Sequence, residues 1–170
     1  MKILLLILIT LSLYADVGTL IKIVDGDTLY FKMNGEKVRC RIEYIDTPES
    51  KNNKKLKKDI SKCRVSNKDM KSAGKSATRY AKSILSINKQ YEYETKGKDY
   101  YGRSICVVQN GNKTFNEQMV IAGYASIFRN YMNKGDLTYY EGLLQEAKMN
   151  RAGMWSNRFA VMQCLDDARR

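Results

Sequence analysis

The chain has 170 residues, 44% of them hydrophobic, with a formal charge of +12 from 30 basic and 18 acidic residues. That is enough for one domain around a single core and too apolar for a disordered polymer, and the basic surplus implies either an anionic partner (nucleic acid, an anionic membrane, another polyanion) or simply a solvated surface. The absence of histidine excludes imidazole general bases, Ser-His-Asp triads and His-ligated zinc, so any metal must be held by carboxylates, carbonyls or thiolates.

Residues 1–15 read as a signal peptide. Lys2 is their sole charge, an apolar run follows over 3–13, and Ala15 offers a small residue for cleavage. The run is too short to span a bilayer comfortably; a short uncleaved anchor is the alternative. The expected location is outside the cytoplasm, periplasmic or secreted. Domain boundaries follow: 1–15 leader, 16–156 folded domain, 157–170 C-terminal tail.

Three alternating stretches at 19–24, 28–33 and 37–45 read as strands, with Asp25-Gly26-Asp27 between the first two. Asn34-Gly35 joins the second pair as a hairpin turn, so the chain opens with a three-stranded meander. A polar, lysine-rich segment over 50–71 lacks clear periodicity and is long for a loop. From about 70 to 87 the pattern is helical, with Ala73, Ala77, Tyr80, Ala81, Ile84 and Leu85 on one face. Strands follow near 90–95 and 103–109. A short helix near 116–122 is capped by Gly123, and a last helix over about 137–149 buries Tyr140, Leu143, Leu144 and Ala147. The expected class is α+β: a five-stranded OB-type barrel with three helices.

Four widely spaced cysteines (Cys40, Cys63, Cys106 and Cys164) contain no C-x-x-C pair. In an oxidising compartment their even number favours disulfides, with three pairings open. Cys63 to Cys164 is the expected bridge, because both lie outside the strands. Cys40 and Cys106 are explained as small buried hydrophobes, though adjacent strands would allow them to pair.

Three segments carry chemistry. In Val24-Asp25-Gly26-Asp27-Thr28, two carboxylates flank a glycine at a tight bend, hard oxygen ligands of the kind that suit Ca²⁺ or Mg²⁺; an ordinary turn would use the same residues. Arg41-Ile42-Glu43-Tyr44-Ile45-Asp46-Thr47-Pro48-Glu49 reads as a strand running into acids. Alternation puts Arg41, Glu43 and Ile45 on one face and Ile42, Tyr44 and Asp46 on the other. Pro48, the only proline, stiffens the corner so that a carboxylate and a carbonyl can be aimed at one point. Asp99-Tyr100-Tyr101-Gly102-Arg103 delivers a second arginine after a turn.

These segments, in this order and with Ala152-Gly153-Met154-Trp155 after the last helix, resemble the staphylococcal nuclease family over about residues 18–155. The resemblance implies that Asp27, Asp46 and the Thr47 carbonyl hold Ca²⁺, with Asp25 an acid behind them. Glu49 would orient or deprotonate the attacking water, and Arg41 and Arg103 would grip the scissile phosphate. Tyr101 and Tyr131 would line the nucleotide site. The implied activity is a calcium-dependent endonuclease cutting DNA and RNA to 3′-phosphate ends. The 50–71 segment is longer than in the staphylococcal enzyme, and its lysines, Lys54 and Lys55 included, are expected to meet the substrate backbone. A monomer without stable membrane association after leader removal is expected. The competing readings are a catalytically inactive nucleic-acid-binding barrel, which would usually have lost an arginine or a metal carboxylate, and a basic toxin or adhesin, which leaves the acids unexplained.

Overall fold

A computed structural model describes residues 16–168; the expected leader lies outside them. The chain runs β1 (Asp16–Ile23), β2 (Thr28–Met33), β3 (Glu36–Ile42), β4 (Ile45–Asp46), α1 (Lys54–Cys63), α2 (Asn67–Ile84), β5 (Gln90–Lys98), β6 (Ser104–Asn110), β7 (Lys113–Thr114), α3 (Phe115–Ile121), β8 (Ser126–Ile127), α4 (Lys134–Met149), α5 (Met154–Asn157) and α6 (Phe159–Ala168). Five strands close into a barrel in the order β3-β2-β1-β5-β6, with β6 returning to β3. Every pairing in the barrel is antiparallel except that last one, where Cys40 faces Ser104 and Ile42 faces Cys106 in parallel. Register shifts in β1 between Leu20 and Lys22, and in β5 between Thr95 and Lys98, bend these strands enough to close so small a barrel. This is the OB-type α+β architecture.

Alternation fills the interior: Leu20, Leu29, Phe31, Cys40, Ile42, Tyr93, Cys106 and Val108 are buried. Phe31 and Tyr93 stack at 5.1 Å between centroids, and a Cys40–Cys106 disulfide crosses the β3–β6 seam with Cα atoms 5.5 Å apart. No helix among the described residues is long and apolar enough to cross a membrane.

Four expectations need correction. The third strand does not run on to residue 45. It ends at Ile42, Tyr44 turns at φ 61°, and β4 starts afresh to pair with β8. The lysine-rich segment is not a loop. Its Asn53 caps α1, accepting from the Leu56 amide at 2.7 Å, and Ser66 caps α2. Residues after Ser156 are not a tail: α6 buries Val161, Met162, Leu165 and Asp166 against the domain. The described residues therefore hold six helices, not three. A second disulfide, Cys63–Cys164, joins the end of α1 to α6 with Cα atoms 5.5 Å apart. Around it Asp166 accepts ion pairs from Arg129 at 2.7 Å and Lys148 at 2.6 Å, which compensate a fully buried carboxylate.

Candidate active site

At one end of the barrel, two loops bring acids together. The Asp25-Gly26-Asp27 turn links β1 to β2, and the Asp46–Glu49 corner follows β4. Both press against the small-residue face of α2. A Cβ built on Gly26 would stand 2.8 Å from Thr47 Cγ2 and 3.0 Å from the Ala77 Cβ. One on Gly74 would stand 2.4 Å from the Glu49 carbonyl carbon. Alanine and glycine on α2 thus let the two loops approach closely.

Arg41 ties the loops electrostatically. Its guanidinium lies 3.4 Å from Asp27 Oδ2 and 3.2 Å from Asp46 Oδ1, and donates to the Ile42 carbonyl at 2.9 Å. Strict alternation would have put Arg41 and Asp46 on opposite faces; the Tyr44 turn brings them together. Asp27 Oδ2 also accepts the Thr47 amide and hydroxyl, each at 3.0 Å. Burial alone would raise the Asp27 pKa, but Arg41, Lys55 and the Thr47 amide outweigh it and hold the group at about 2. Asp25, which accepts the Asp27 amide at 3.2 Å, behaves oppositely: burial first, then the Asp27 charge, push it up to about 7.

Lys55 is not turned outward toward a substrate. Its ammonium lies 3.0 Å from Glu49 Oε1, 3.3 Å from Asp46 Oδ1, 3.3 Å from Asp59 Oδ2 and 3.1 Å from the Thr47 carbonyl oxygen, to which it donates. Two of the three expected metal-ligand residues thus point at one cation, while the carboxylate of the third, Asp27, is directed at Arg41 and Thr47. Glu49 Oε2 accepts from the Asn53 side chain at 2.6 Å. Sequence reading missed Asn53 and Asp59 here. Their signals were the spacings Glu49–Asn53 and Lys55–Asp59, each of four residues, in a segment not recognised as starting a helix. Among the described residues no three His, Cys, Asp or Glu side chains stand grouped as a metal cage; these carboxylates are spaced around an ammonium.

The second arginine sits just before β6. The β3–β6 register pairs Arg41 with Ile105, so Arg103, two residues earlier, belongs to the same face of the sheet. Asp99 fixes it: Nη2 and Nε lie 2.6 and 2.7 Å from Asp99 Oδ2. Tyr101, 78% exposed, lies beneath the guanidinium at 5.7 Å. Tyr131 is 93% exposed on the loop before α4, and Lys54 is exposed beside Lys55. The chain therefore has buried acids around the Arg41 guanidinium, and a second guanidinium held by Asp99 with an exposed phenol ring beside it: groups suited to binding and hydrolysing an anionic ester.

The family model described as "Staphylococcal nuclease homologue" matches residues 39–157. An uncharacterised protein of Methanocaldococcus jannaschii is 33% identical over 82% of this chain and 71% of its own length. A protein named thermonuclease from Staphylococcus hyicus is 28% identical over 81% of this chain and 74% of its own length. One named micrococcal nuclease from Shigella flexneri is 27% identical over 89% of this chain and 80% of its own length.

Proposed function

The chain belongs to the staphylococcal nuclease family, and from that membership and the geometry of the acid cluster we propose that it is a calcium-dependent endonuclease that hydrolyses phosphodiester bonds of DNA and RNA, leaving 3′-phosphate ends. The observation that carries this reading is the convergence of Asp46, Thr47 O and Glu49 on one cation beside Arg41, at the end of the barrel where β3 gives way to the acid corner.

The donor set fits a hard divalent ion. It is all oxygen and partly carboxylate, with Asp27, Asp46, Glu49 and Asp59 gathered around the Arg41 guanidinium and the Lys55 ammonium. Asp46 and the Thr47 carbonyl would hold Ca²⁺, with Asp27 as the further ligand the family pattern implies. The ion would supply positive charge against the phosphoryl oxygens.

The remaining steps belong to this chain's own side chains. Arg41 and Arg103 present planar forks that can each donate two hydrogen bonds to a phosphate and oppose the charge that builds as water attacks phosphorus. Asp99 pre-orients the Arg103 fork. Glu49, positioned by Asn53, orients the attacking water or accepts its proton, a carboxylate taking the part that histidine cannot play in this chain. As the water oxygen bonds to phosphorus, the bond from phosphorus to the 5′ oxygen breaks; the phosphate stays on the 3′ side, and the 5′ oxygen takes a proton from solvent and leaves as a hydroxyl. Tyr101 and Tyr131 offer stacking faces to bases, and Lys54 a charge to the backbone. Export to the periplasm or medium, and action as a monomer, complete the proposal; the leader pattern and the two disulfides support export.

The test is incubation with single-stranded DNA under calcium, magnesium or excess chelator. Calcium should support cleavage better than magnesium, which demands stricter octahedral geometry. Full cleavage in chelator would refute the metal requirement.

A further inference from the structure

The Lys55 ammonium has the environment of a bound metal ion rather than of a surface lysine. Four oxygens from two segments lie within 3.3 Å of its nitrogen: Glu49 Oε1, the Thr47 carbonyl, Asp46 Oδ1 and Asp59 Oδ2. Two of these oxygen-bearing residues, Asp46 and Thr47, are among the three expected to hold calcium. A divalent ion and this ammonium cannot share that volume.

We propose that Lys55 is a built-in cation that occupies the divalent-ion site, and that metal enters by displacing it, taking over the Asp59 carboxylate as an additional ligand. This rests on the reading of the site as a calcium centre. Three features of the structure support it. Ammonium-to-oxygen distances of 3.0–3.3 Å exceed the roughly 2.3–2.6 Å of calcium–oxygen bonds, so the same oxygens could close on an ion by moving less than about 1 Å each. Asp59 is 1% exposed and projects from α1 toward Lys55; a carboxylate that deep requires a cation beside it. Lys55 itself has a route out. Its side chain retains 32% exposure, and it is the second residue of α1, so a rotamer change carries the ammonium into solvent without moving the helix.

The ammonium therefore plays two parts. Without calcium it neutralises the carboxylates and keeps the two loops from repelling one another. With calcium it is a competitor, lowering the apparent affinity so that the site fills only where calcium is abundant. Once expelled, it becomes a basic group at the edge of the site.

Calcium binding to the full chain should be measured by isothermal titration calorimetry at fixed pH and ionic strength, for wild type, Lys55→Met and the double variant Lys55→Met/Asp59→Asn. Methionine keeps the stem and removes the charge. The double variant leaves the net charge of the cluster unchanged, so its folding does not depend on the ion. Lys55→Met should bind calcium about 10-fold or more tighter than wild type. The double variant should fall between the two, tighter than wild type because the competitor is gone and weaker than the single variant because a ligand is gone. Thermal melting adds a second readout: the rise in Tm between chelator and saturating calcium should be larger for Lys55→Met than for wild type. Equal or weaker calcium binding by both variants, with wild type still binding, would overturn the role of Lys55 and leave the metal centre intact. No calcium binding by any of the three would overturn both.

Discussion

Arg41 shows how one side chain can organise the site and serve its chemistry. Its guanidinium spans two loops by touching Asp27 and Asp46 at once. Exchange for lysine keeps the charge but removes the fork, so only one of the two carboxylates can be held. Arg41→Lys and Arg103→Lys should each lower turnover by about 10²–10³, measured beside circular dichroism to confirm folding; wild-type turnover in either would make that arginine structural. Asp25 offers a test by pH. With its pKa raised to about 7, the native state holds a proton that the unfolded chain releases near pH 4. Stability from this group is therefore present at low pH and lost as pH rises through about 7. Asp27, held at about 2, is already ionised over that range and contributes no slope there. In chelator, Asp25→Asn should be more stable relative to wild type at pH 8 than at pH 5, read from urea midpoints. The same difference at both values would show that Asp25 ionises normally.

At the scale of elements, the site is a product of how α2 lies. Gly74 and Ala77 leave room for the Glu49 backbone and for the Gly26 turn. Gly74→Ala places a methyl against main chain, not against a flexible side chain, so α2 or the acid corner must shift. Turnover should fall by about 10-fold or more, given how sharply rates depend on sub-ångström placement, while far-ultraviolet dichroism stays unchanged. Gly142→Ala, in α4 with open space around it, is the control and should be neutral or stabilise by up to about 1 kcal/mol. Sequence reading found the alanine face of α2 but could not see that it abuts the acids, because periodicity reports which side is buried and not what covers it. It found β1, β2, β5 and β6 to within a few residues, since alternation and Asn-Gly are local signals. It missed α1 because its buried face, at 56, 59, 60 and 63, is Leu-Asp-Ile-Cys: the helical period is present, but half its positions look polar or redox-active. The first turn of α6 gave no cap signal, and the exposed Phe159 broke the apparent pattern. The Arg41–Asp46 contact was illegible for a different reason, since it depends on one residue, Tyr44, adopting φ 61°.

For the molecule as a whole, charge is the property through which the proposed nucleic-acid substrate would be met. Lys54, Lys57 and Lys58 are exposed on α1, beside the acid site, while Lys55 is turned inward. Replacing those three by glutamine should weaken binding to single-stranded DNA without changing sequence preference. It should flatten the salt dependence by about 0.7 log units of slope for each phosphate that is no longer neutralised. An unchanged slope, measured by fluorescence anisotropy across a salt series, would show that α1 does not touch nucleic acid.

The barrel closes along the β3–β6 seam, the one parallel pairing in it, and the half-cystines that cross it are separated by 66 residues. Pairing between such distant segments carries a larger loop-closure cost than the β1–β2–β3 meander. Arg41 lies within one strand of that seam and Arg103 immediately before the other. Until the seam closes, the two guanidiniums stand at opposite edges of the open sheet β3-β2-β1-β5-β6, too far apart for the shared phosphate grip proposed above. Under the proposed function, catalytic competence therefore depends on closing the barrel and not only on forming its meander. In a member of a nuclease family, that dependence would be a form of latency written into the strand topology.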